Sequence, residues 1–232
     1  WDFRILHRFG PVNQGFSELF GLDQASMRLG ADFGLSNHLT LGFGRTTFKK
    51  DVDVFLKYRL LQQSTGPSAR PISLVAVLGT SIQTYKNPDP AKPIGFDQRA
   101  GYYVQFLVGK KINSKFSVQL TPSIVFRSKV PVNDDNTVFA LGWGGRYKIS
   151  KRVALVADYA YVFNGFVKEQ GANPLSLGVD IETGGHVFQL HFSNAPGMNE
   201  RALLTETANT WGSGEIRFGF NLSRIFNLKK RT

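Results

Sequence analysis

Charged side chains recur at alternate positions along several stretches of the sequence, and they are the first residues that could carry a function. Alternate residues of a β-strand point to the same side of a sheet, so such charges would share one face. In a closed sheet that face would line the interior, where rings of arginine and lysine favour anions. The alternative is that the charges pair with one another and fill the interior. The residues that we expect there are Arg28, Asp32, Lys57, Arg59, Arg127, Arg146, Lys148, Asp158 and Arg217.

His191 and Ser193 stand two positions apart, so they share one face of a strand. A serine beside a histidine base is the usual arrangement of a nucleophile. Attack on a lipid ester would require the pair to face the membrane, but Phe188, Leu190 and Phe192 occupy that side. We therefore expect two ordinary interior residues, no catalytic residues and no enzymatic activity.

Metal and cofactor sites have weak support in the sequence. The stretch 133–136 (Asn-Asp-Asp-Asn) offers oxygen ligands that calcium accepts, but such runs are more often solvated turns. The four histidines lack the spacing of a zinc site, and the absence of cysteine excludes disulfides, thiolate ligands and a catalytic thiol. We expect no metal and no cofactor.

The elements that position these residues are predicted by alternation with a period of two. In 26–35, Met27, Leu29 and Ala31 share one face, and Arg28 and Asp32 share the other. This pattern favours half-buried strands. It predicts strands near 2–9, 25–35, 39–49, 52–62, 72–85, 99–111, 116–129, 137–149, 153–164, 175–182, 186–194 and 215–224.

The connections between these strands differ in length at the two ends of the sheet. Short turns are expected at 36–38, 113–115, 150–152 and 183–185, and longer loops at 86–98, 130–136, 165–174 and 195–214. If the strands run up and down, the short turns lie on one rim and most long loops on the other, as in outer-membrane barrels. The connection 62–70 is longer than its rim predicts.

The membrane is the environment that these features favour. No apolar run reaches the roughly 18 residues of a membrane-spanning helix, whereas strands of this length can cross a bilayer at a tilt. Aromatic residues often mark the ends of the apolar faces. We predict an all-β fold: one domain over residues 1–232, a closed antiparallel up-and-down transmembrane β-barrel of about twelve strands, located in the bacterial outer membrane and surrounded by its lipid.

Apolar residues in two of the long loops predict a further element. Phe16, Leu19 and Phe20 read as a short amphipathic helix in the first loop, and Trp211 anchors a similar segment before the last strand. Such groups would either cap the lumen or dock a partner, because exposed apolar patches usually need cover.

The net charge of +11, from 28 Lys+Arg and 17 Asp+Glu, raises the question of nucleic acid. The positive charge is spread over one face of many strands and is not gathered beside stacking aromatic residues. We therefore expect no nucleic-acid partner.

Three stretches of the chain resemble a known family. They are FRILHRFGPVNQGFSELFGLDQASMRLG, LTLGFGRTTFKKDVDVFLKYRLL and GVDIETGGHVFQLHFSNA. The sequence resembles an uncharacterised outer-membrane β-barrel domain family of Gram-negative bacteria. The resemblance implies the fold and the location; the family has no established activity, so it assigns no functional residue.

Two functions follow from this reading. The first is a narrow, porin-like pore or conduit for small solutes, with anions favoured by the excess of interior cations. The second is a non-conducting structural barrel that docks partner proteins, either of the outer membrane or of the periplasm, in a larger complex.

Overall fold

The structure, a computed structural model, describes residues 1–86, 94–130, 132, 134–165 and 171–226. It is a closed barrel of twelve antiparallel strands in which neighbours in sequence pair with each other and the last strand pairs with the first. The strands are β1 Asp2–Pro11, β2 Ala25–Gly34, β3 Leu39–Thr46, β4 Asp51–Leu61, β5 Ser73–Gln83, β6 Ala100–Lys111, β7 Phe116–Arg127, β8 Thr137–Lys148, β9 Val153–Val162, β10 Leu175–Glu182, β11 His186–Ser193 and β12 Arg217–Ile225. Two short helices, α1 Phe96–Arg99 and α2 Glu200–Thr205, lie in the loops.

This architecture confirms the predicted closed up-and-down barrel and the predicted order of strands. One strand is clearly shorter than alternation indicated: β3 ends at Thr46, and Phe48–Lys50 form a 3₁₀ turn. The turn contains Lys49 with φ of 49°, a left-handed conformation that a strand cannot contain. Among the described helices, none is long and apolar enough to cross a membrane.

Alternation along the strands separates an apolar outer face from a mixed inner face. On the outer wall, His7 stacks on Phe220 at a ring distance of 4.6 Å, and Phe9 stacks on Phe218 at 5.8 Å. Leu190 on the same wall is 43% exposed, although it lies in the middle of a strand. Side chains of this type form a surface that suits acyl chains.

Local sequence explains the tight turns on one rim. In three of them the side chain of Ser36, Asn113 or Ser150 accepts hydrogen bonds from backbone N–H groups two and three residues later, at 2.8–3.2 Å. Such bonds stabilise a turn without help from the rest of the chain. We call this end of the barrel the short-turn rim and the other end the long-loop rim.

One side of the barrel interior is packed like a protein core. Inward side chains of β4 to β9 form an apolar cluster with a residue of α2. Two glycines leave room for its large rings: a Cβ at Gly42 would lie 2.1 Å from the Phe55 ring, and one at Gly79 would lie 2.2 Å from the Tyr103 ring. The cluster consists of Phe55, Val77, Tyr103, Val125, Val138, Ala140, Ala160, Val162 and Leu204.

The orientation of the two faces can be tested with neighbouring residues in the middle of β12. A lysine replacing the lipid-facing Phe220 should cost about 2–4 kcal/mol of unfolding free energy, as cations at the bilayer midplane do. A lysine replacing Asn221, which faces the polar part of the lumen, should cost much less. Urea titration of the two variants in liposomes measures both values, and equal costs would contradict the assigned orientation.

Candidate functional site

The long connection between β11 and β12 enters the barrel from the long-loop rim. We call residues 194–216 the plug segment. Its helix α2 begins at Glu200 and is capped by Asn199, whose side-chain Oδ1 accepts a hydrogen bond from Ala202 N at 2.8 Å. Ala202 and Leu204 are fully or almost fully buried, so the helix lies inside the lumen and not above it.

Arg201 attaches this helix to the barrel wall. Its Nη2 lies 2.5 Å from Asp51 Oδ2, its Nε donates to Ser81 Oγ at 2.7 Å, and its Nη1 donates to Glu206 Oε1 at 2.5 Å. Asn199 Nδ2 donates to the same oxygen of Asp51 at 3.0 Å. We call these five residues the latch. The Arg201 and Asp51 side chains are 7% and 0% exposed, so the latch contains a buried ion pair.

Glu206 is held by three donors at the outer side of the latch. Besides the bond from Arg201, the Glu206 carboxylate accepts a hydrogen bond from Gln83 Nε2 at 3.2 Å, and its Oε2 lies 2.9 Å from Lys49 Nζ. Burial raises the pKa of the Glu206 carboxyl, but the charges of Arg201 and Lys49 outweigh burial and lower this pKa below its usual value. The carboxylate therefore stays charged at neutral pH.

Further bonds fasten the plug segment on the opposite side of the barrel. Arg8 Nη1 donates to Ala195 O at 2.5 Å, and Arg217 Nη2 donates to Asn209 Oδ1 at 3.1 Å. Trp211 Nε1 donates to the carbonyl of Leu175 at 3.0 Å. The segment is thus fixed to strands on both sides of the lumen.

Beneath the plug segment lies a cavity of about 290 Å³, which we call the central cavity. It occupies the polar half of the lumen, along β9 to β12 and β1. The plug segment forms part of its wall through Asn199, Glu200 and Leu203, and its barrel wall includes Arg8, Asp158, Ser176, Gln189, His191 and Asn221.

His191 is a buried polar group of the central cavity. Its side chain is buried, and neither ring nitrogen has a hydrogen-bond partner within the described part of the chain. Its ring lies over Gly219, where an added Cβ would be 2.5 Å from Nε2. A buried imidazole without partners is costly, so water or a solute in the cavity is its natural partner.

A second cavity opens toward the short-turn rim. This vestibule has a volume of about 600 Å³, and its lining includes the polar residues Gln63, Ser117, Gln119, Lys111 and Arg146. It shares Val156 and Gln189 with the central cavity. The two cavities therefore lie next to each other between the short-turn rim and the plug segment, separated in part by the shared side chains.

A third cavity, the mouth cavity, lies on the other side of α2 at the long-loop rim. Its volume is about 260 Å³. Two acidic residues, Asp134 and Glu206, face it, whereas the cations that line it are Lys49, Arg99, Arg127, Lys129 and Arg201.

Many of the charges predicted to line the lumen are paired with one another. Arg28 pairs with Asp53 through two hydrogen bonds, and Lys57 Nζ lies 2.9 Å from Asp32 Oδ2. Pairing of this kind supports the reading that salt bridges fill part of the interior.

Arg146 forms a similar network nearer the short-turn rim. It bonds to Asp180 at 3.1 Å and to Glu182 at 2.7 Å, so one cation is matched by two acids. Lys148 lies two residues farther along the same face of β8, and Arg59 is exposed at the same rim, where it bonds to Gln62.

The remaining predicted lumen residues lie at the cavities. Asp158 lines the central cavity and forms no ion pair with any described residue. Arg127 lies in the mouth cavity, 3.5 Å from Asp134. Arg217 reaches the plug segment and also donates to Phe9 O at 3.2 Å.

The predicted loop residues divide into two groups. Trp211 belongs to the plug segment and contacts the barrel, whereas Phe16, Leu19 and Phe20 are 79%, 47% and 54% exposed. The predicted amphipathic helix is instead a kinked pair of 3₁₀ turns, because Leu19 and Phe20 adopt positive φ angles of 45° and 55°. These side chains are exposed and not packed into the lumen, and docking of a partner by this patch stays a prediction.

The serine and histidine of β11 point inward together but do not form a nucleophile–base pair. The hydroxyl of Ser193 bonds to Ser176 Oγ at 2.9 Å and accepts from Ala195 N at 3.2 Å. Within the described residues no group of His, Asp and Glu side chains could hold a metal ion. The candidate calcium stretch lies partly outside the described residues, because it includes position 133.

Sequence reasoning did not find the latch. Arg201 lies in a loop, where strand alternation carries no information, and Asp51 was placed just outside a strand. A local signal was present: Asn199 followed by Glu200 is typical of a helix start, because asparagine caps the first turn and an acidic residue favours it. The inward apolar residues Val138 and Ala160 were also missed, since alternation assigns a face but not its environment.

Comparison with known proteins confirms the fold and the resemblance. Residues 1–226 match the family model described as "Membrane bound beta barrel domain (DUF5777)". No curated protein matches the sequence.

Solved structures with a similar fold include a KdgM porin, with a TM-score of 0.59, 11% identity, and coverage of 98% of this chain and 100% of that one. They also include the COG4313 outer membrane channel from Pseudomonas putida F1, with a TM-score of 0.56, 15% identity, and coverage of 97% and 95%. Identities this low show a shared fold alone. Together with the family description, these folds place the barrel in the bacterial outer membrane.

The role of the latch can be tested by chemical labelling, because the chain contains no cysteine of its own. A cysteine replacing the buried Ala202 should react slowly with a water-soluble maleimide. Adding Arg201→Met leaves Asp51 as an uncompensated buried charge, which costs several kcal/mol, so labelling should accelerate on the order of 100-fold. Arg59→Met, at the far rim, is the control and should leave the rate unchanged; equal rates in all three backgrounds would mean that Arg201 does not hold the helix.

Proposed function

Since the chain belongs to the family of membrane-bound β-barrel domains designated DUF5777, we propose that it is a channel for small solutes, closed in the present conformation by the plug segment. The solutes would cross through the vestibule, the central cavity and the mouth cavity. The apolar half, packed around Leu204, would serve as the fixed wall against which α2 rests.

The observation that carries this proposal is the arrangement of three cavities along the barrel. The vestibule and the central cavity share lining residues, the central cavity ends against Asn199, Glu200 and Leu203, and the mouth cavity lies on the other side of the same helix. Side chains alone fill the interior of an eight-stranded barrel, and a barrel of twelve strands encloses more space than that. Release of α2 would therefore join the three cavities into one path.

The placement of unpaired charges supports a preference for small anions. In the middle of the lumen, Arg28 and Lys57 are neutralised by acids. Toward both ends cations remain: within the described residues, Lys111 in the vestibule and Lys129 in the mouth cavity form no ion pair. Cationic linings of this kind select anions.

The names of similar structures agree with the proposal without deciding it. One is a porin and another is an outer membrane channel, and both cover nearly the whole of this chain.

Conductance in planar bilayers tests the proposal. The full chain should show a small or intermittent current, whereas a variant in which residues 195–214 are replaced by a short glycine-serine turn should conduct steadily. Reversal potentials across a potassium chloride gradient should show anion preference in that variant. Silence of the shortened barrel, after its heat-modifiable electrophoretic mobility shows that it is folded, would contradict a channel function.

The anion preference has its own test in the shortened barrel. Lys111→Glu combined with Lys148→Glu reverses two charges at the short-turn rim and should shift the reversal potential toward cations. Lys115→Glu combined with Lys151→Glu makes the same change of charge in exposed turns of the same rim and should shift the reversal potential less. The same shift in both variants would mean that surface charge, and not the lumen, sets the preference.

A second candidate function is a non-conducting barrel that docks other outer-membrane or periplasmic proteins. The exposed patch of Phe16, Leu19 and Phe20 favours it, because contiguous exposed apolar groups mark interaction sites. Under this alternative the shortened barrel stays silent, and partners that co-purify with the full chain are lost on Phe16→Ser with Phe20→Ser. Under the channel proposal, these two substitutions leave conductance unchanged. In neither case do we expect catalysis.

A further inference from the structure

The carboxylate of Glu206 occupies a site that is built for an anion. Three donors converge on it from three elements: Lys49 from the turn after β3, Gln83 from the end of β5, and Arg201 from α2. The Glu206 side chain is 10% exposed. The charge-assisted bonds that surround it are among the strong ones, and the geometry would suit any planar carboxylate.

The mouth cavity beside Glu206 holds more positive charge than its own acids neutralise. Five cations line it against two acids. The guanidinium of Arg99 donates hydrogen bonds to the backbone carbonyls of Gln83, Tyr85 and Ile94. Carbonyl oxygens are neutral, so they satisfy hydrogen bonds and leave the charge uncompensated.

Arg127 is in a similar position. It bonds to the carbonyls of Asp135 and Gly165, and its Nε is buried without a hydrogen-bond partner. Its Nη1 lies 3.5 Å from Asp134 Oδ2, which is long for a charge-assisted bond. Lys129 is a further cation that lines the mouth cavity. A group that would satisfy these residues is a further oxyanion in the cavity.

We propose that the mouth cavity binds a small carboxylate that enters from the long-loop rim, and that the bound carboxylate competes with Glu206 for Lys49 and Arg201 and so loosens the latch. The inference rests on the proposed function, for which it names the class of solute and the event that releases the plug segment. In the absence of the solute, the Glu206 carboxylate occupies the position that the carboxylate of the solute would take. Arg201 would exchange one carboxylate for another, so its charge would remain compensated throughout.

Binding is tested by titration calorimetry of the full chain in detergent, with succinate as the carboxylate and succinamide as the neutral molecule of similar shape. Succinate should bind and succinamide should not. Lys129→Gln removes a cation that has no ion pair within the described residues, and it should weaken succinate binding roughly fivefold. Lys151→Gln, at the opposite rim, should leave binding unchanged. Equal affinity for both probes, or no effect of Lys129→Gln, would overturn the site.

Loosening of the latch is tested by labelling of a cysteine at position 202. Succinate should accelerate labelling of the Ala202→Cys protein, and succinamide should not. Adding Glu206→Gln removes the competing carboxylate, so labelling should be fast without succinate and the calorimetric affinity for succinate should rise. Binding without accelerated labelling would overturn the competition. Because calorimetry and labelling need no current, these results stay distinct from a failure of the shortened barrel to conduct.

Discussion

The pairing of the last strand with the first is the constraint on which the rest of the structure depends. It runs from Asp2 opposite Ile225 to Pro11 opposite Arg217. In hydrocarbon an unpaired backbone group costs several kcal/mol, so a sheet in a bilayer must close. Closure with twelve strands creates an interior that wall side chains alone do not fill. Helix α2 and the apolar cluster take up part of that space, and the plug segment is in this sense a consequence of the strand number.

The interior is divided into two environments that follow from two sets of inward residues. From β4 to β9, small and apolar residues such as Val125 and Val138 pack against Leu204 with no exposed surface of their own. From β9 through β12 to β1, polar residues such as His191 surround a cavity. The buried pair of Arg201 and Asp51 joins the plug segment to the packed side. A buried ion pair adds little net stability over apolar packing, but it makes one position of the helix specific, because any other position leaves a charge unpaired.

The sequence was sufficient to predict the strands, their order and their two faces, because a period of two is a local property that the fold cannot override without turning Phe220 into the lumen and Arg28 toward the lipid. The sequence was also sufficient to predict the short turns of one rim, since Ser36 and Asn113 stabilise their turns through their own side chains. It did not predict the latch. Asp51 and Arg201 are separated by 150 positions, and no periodic pattern relates a strand residue to a helix in a distant loop. The paired state of Lys57 likewise depends on strand register, which alternation alone does not give.

The asymmetric packing of the interior also determines where the wall of the barrel is stiff. Strands that carry the apolar cluster have side chains interlocked on their inner surface, as in the core of a water-soluble protein, where a small change in spacing is costly. Strands around His191 border open space, with the glycines Gly178 and Gly219 beside it. At the level of the cluster, changes in bilayer thickness or lateral pressure would therefore deform the wall around His191 more than the packed wall, and the barrel would flatten along a fixed direction.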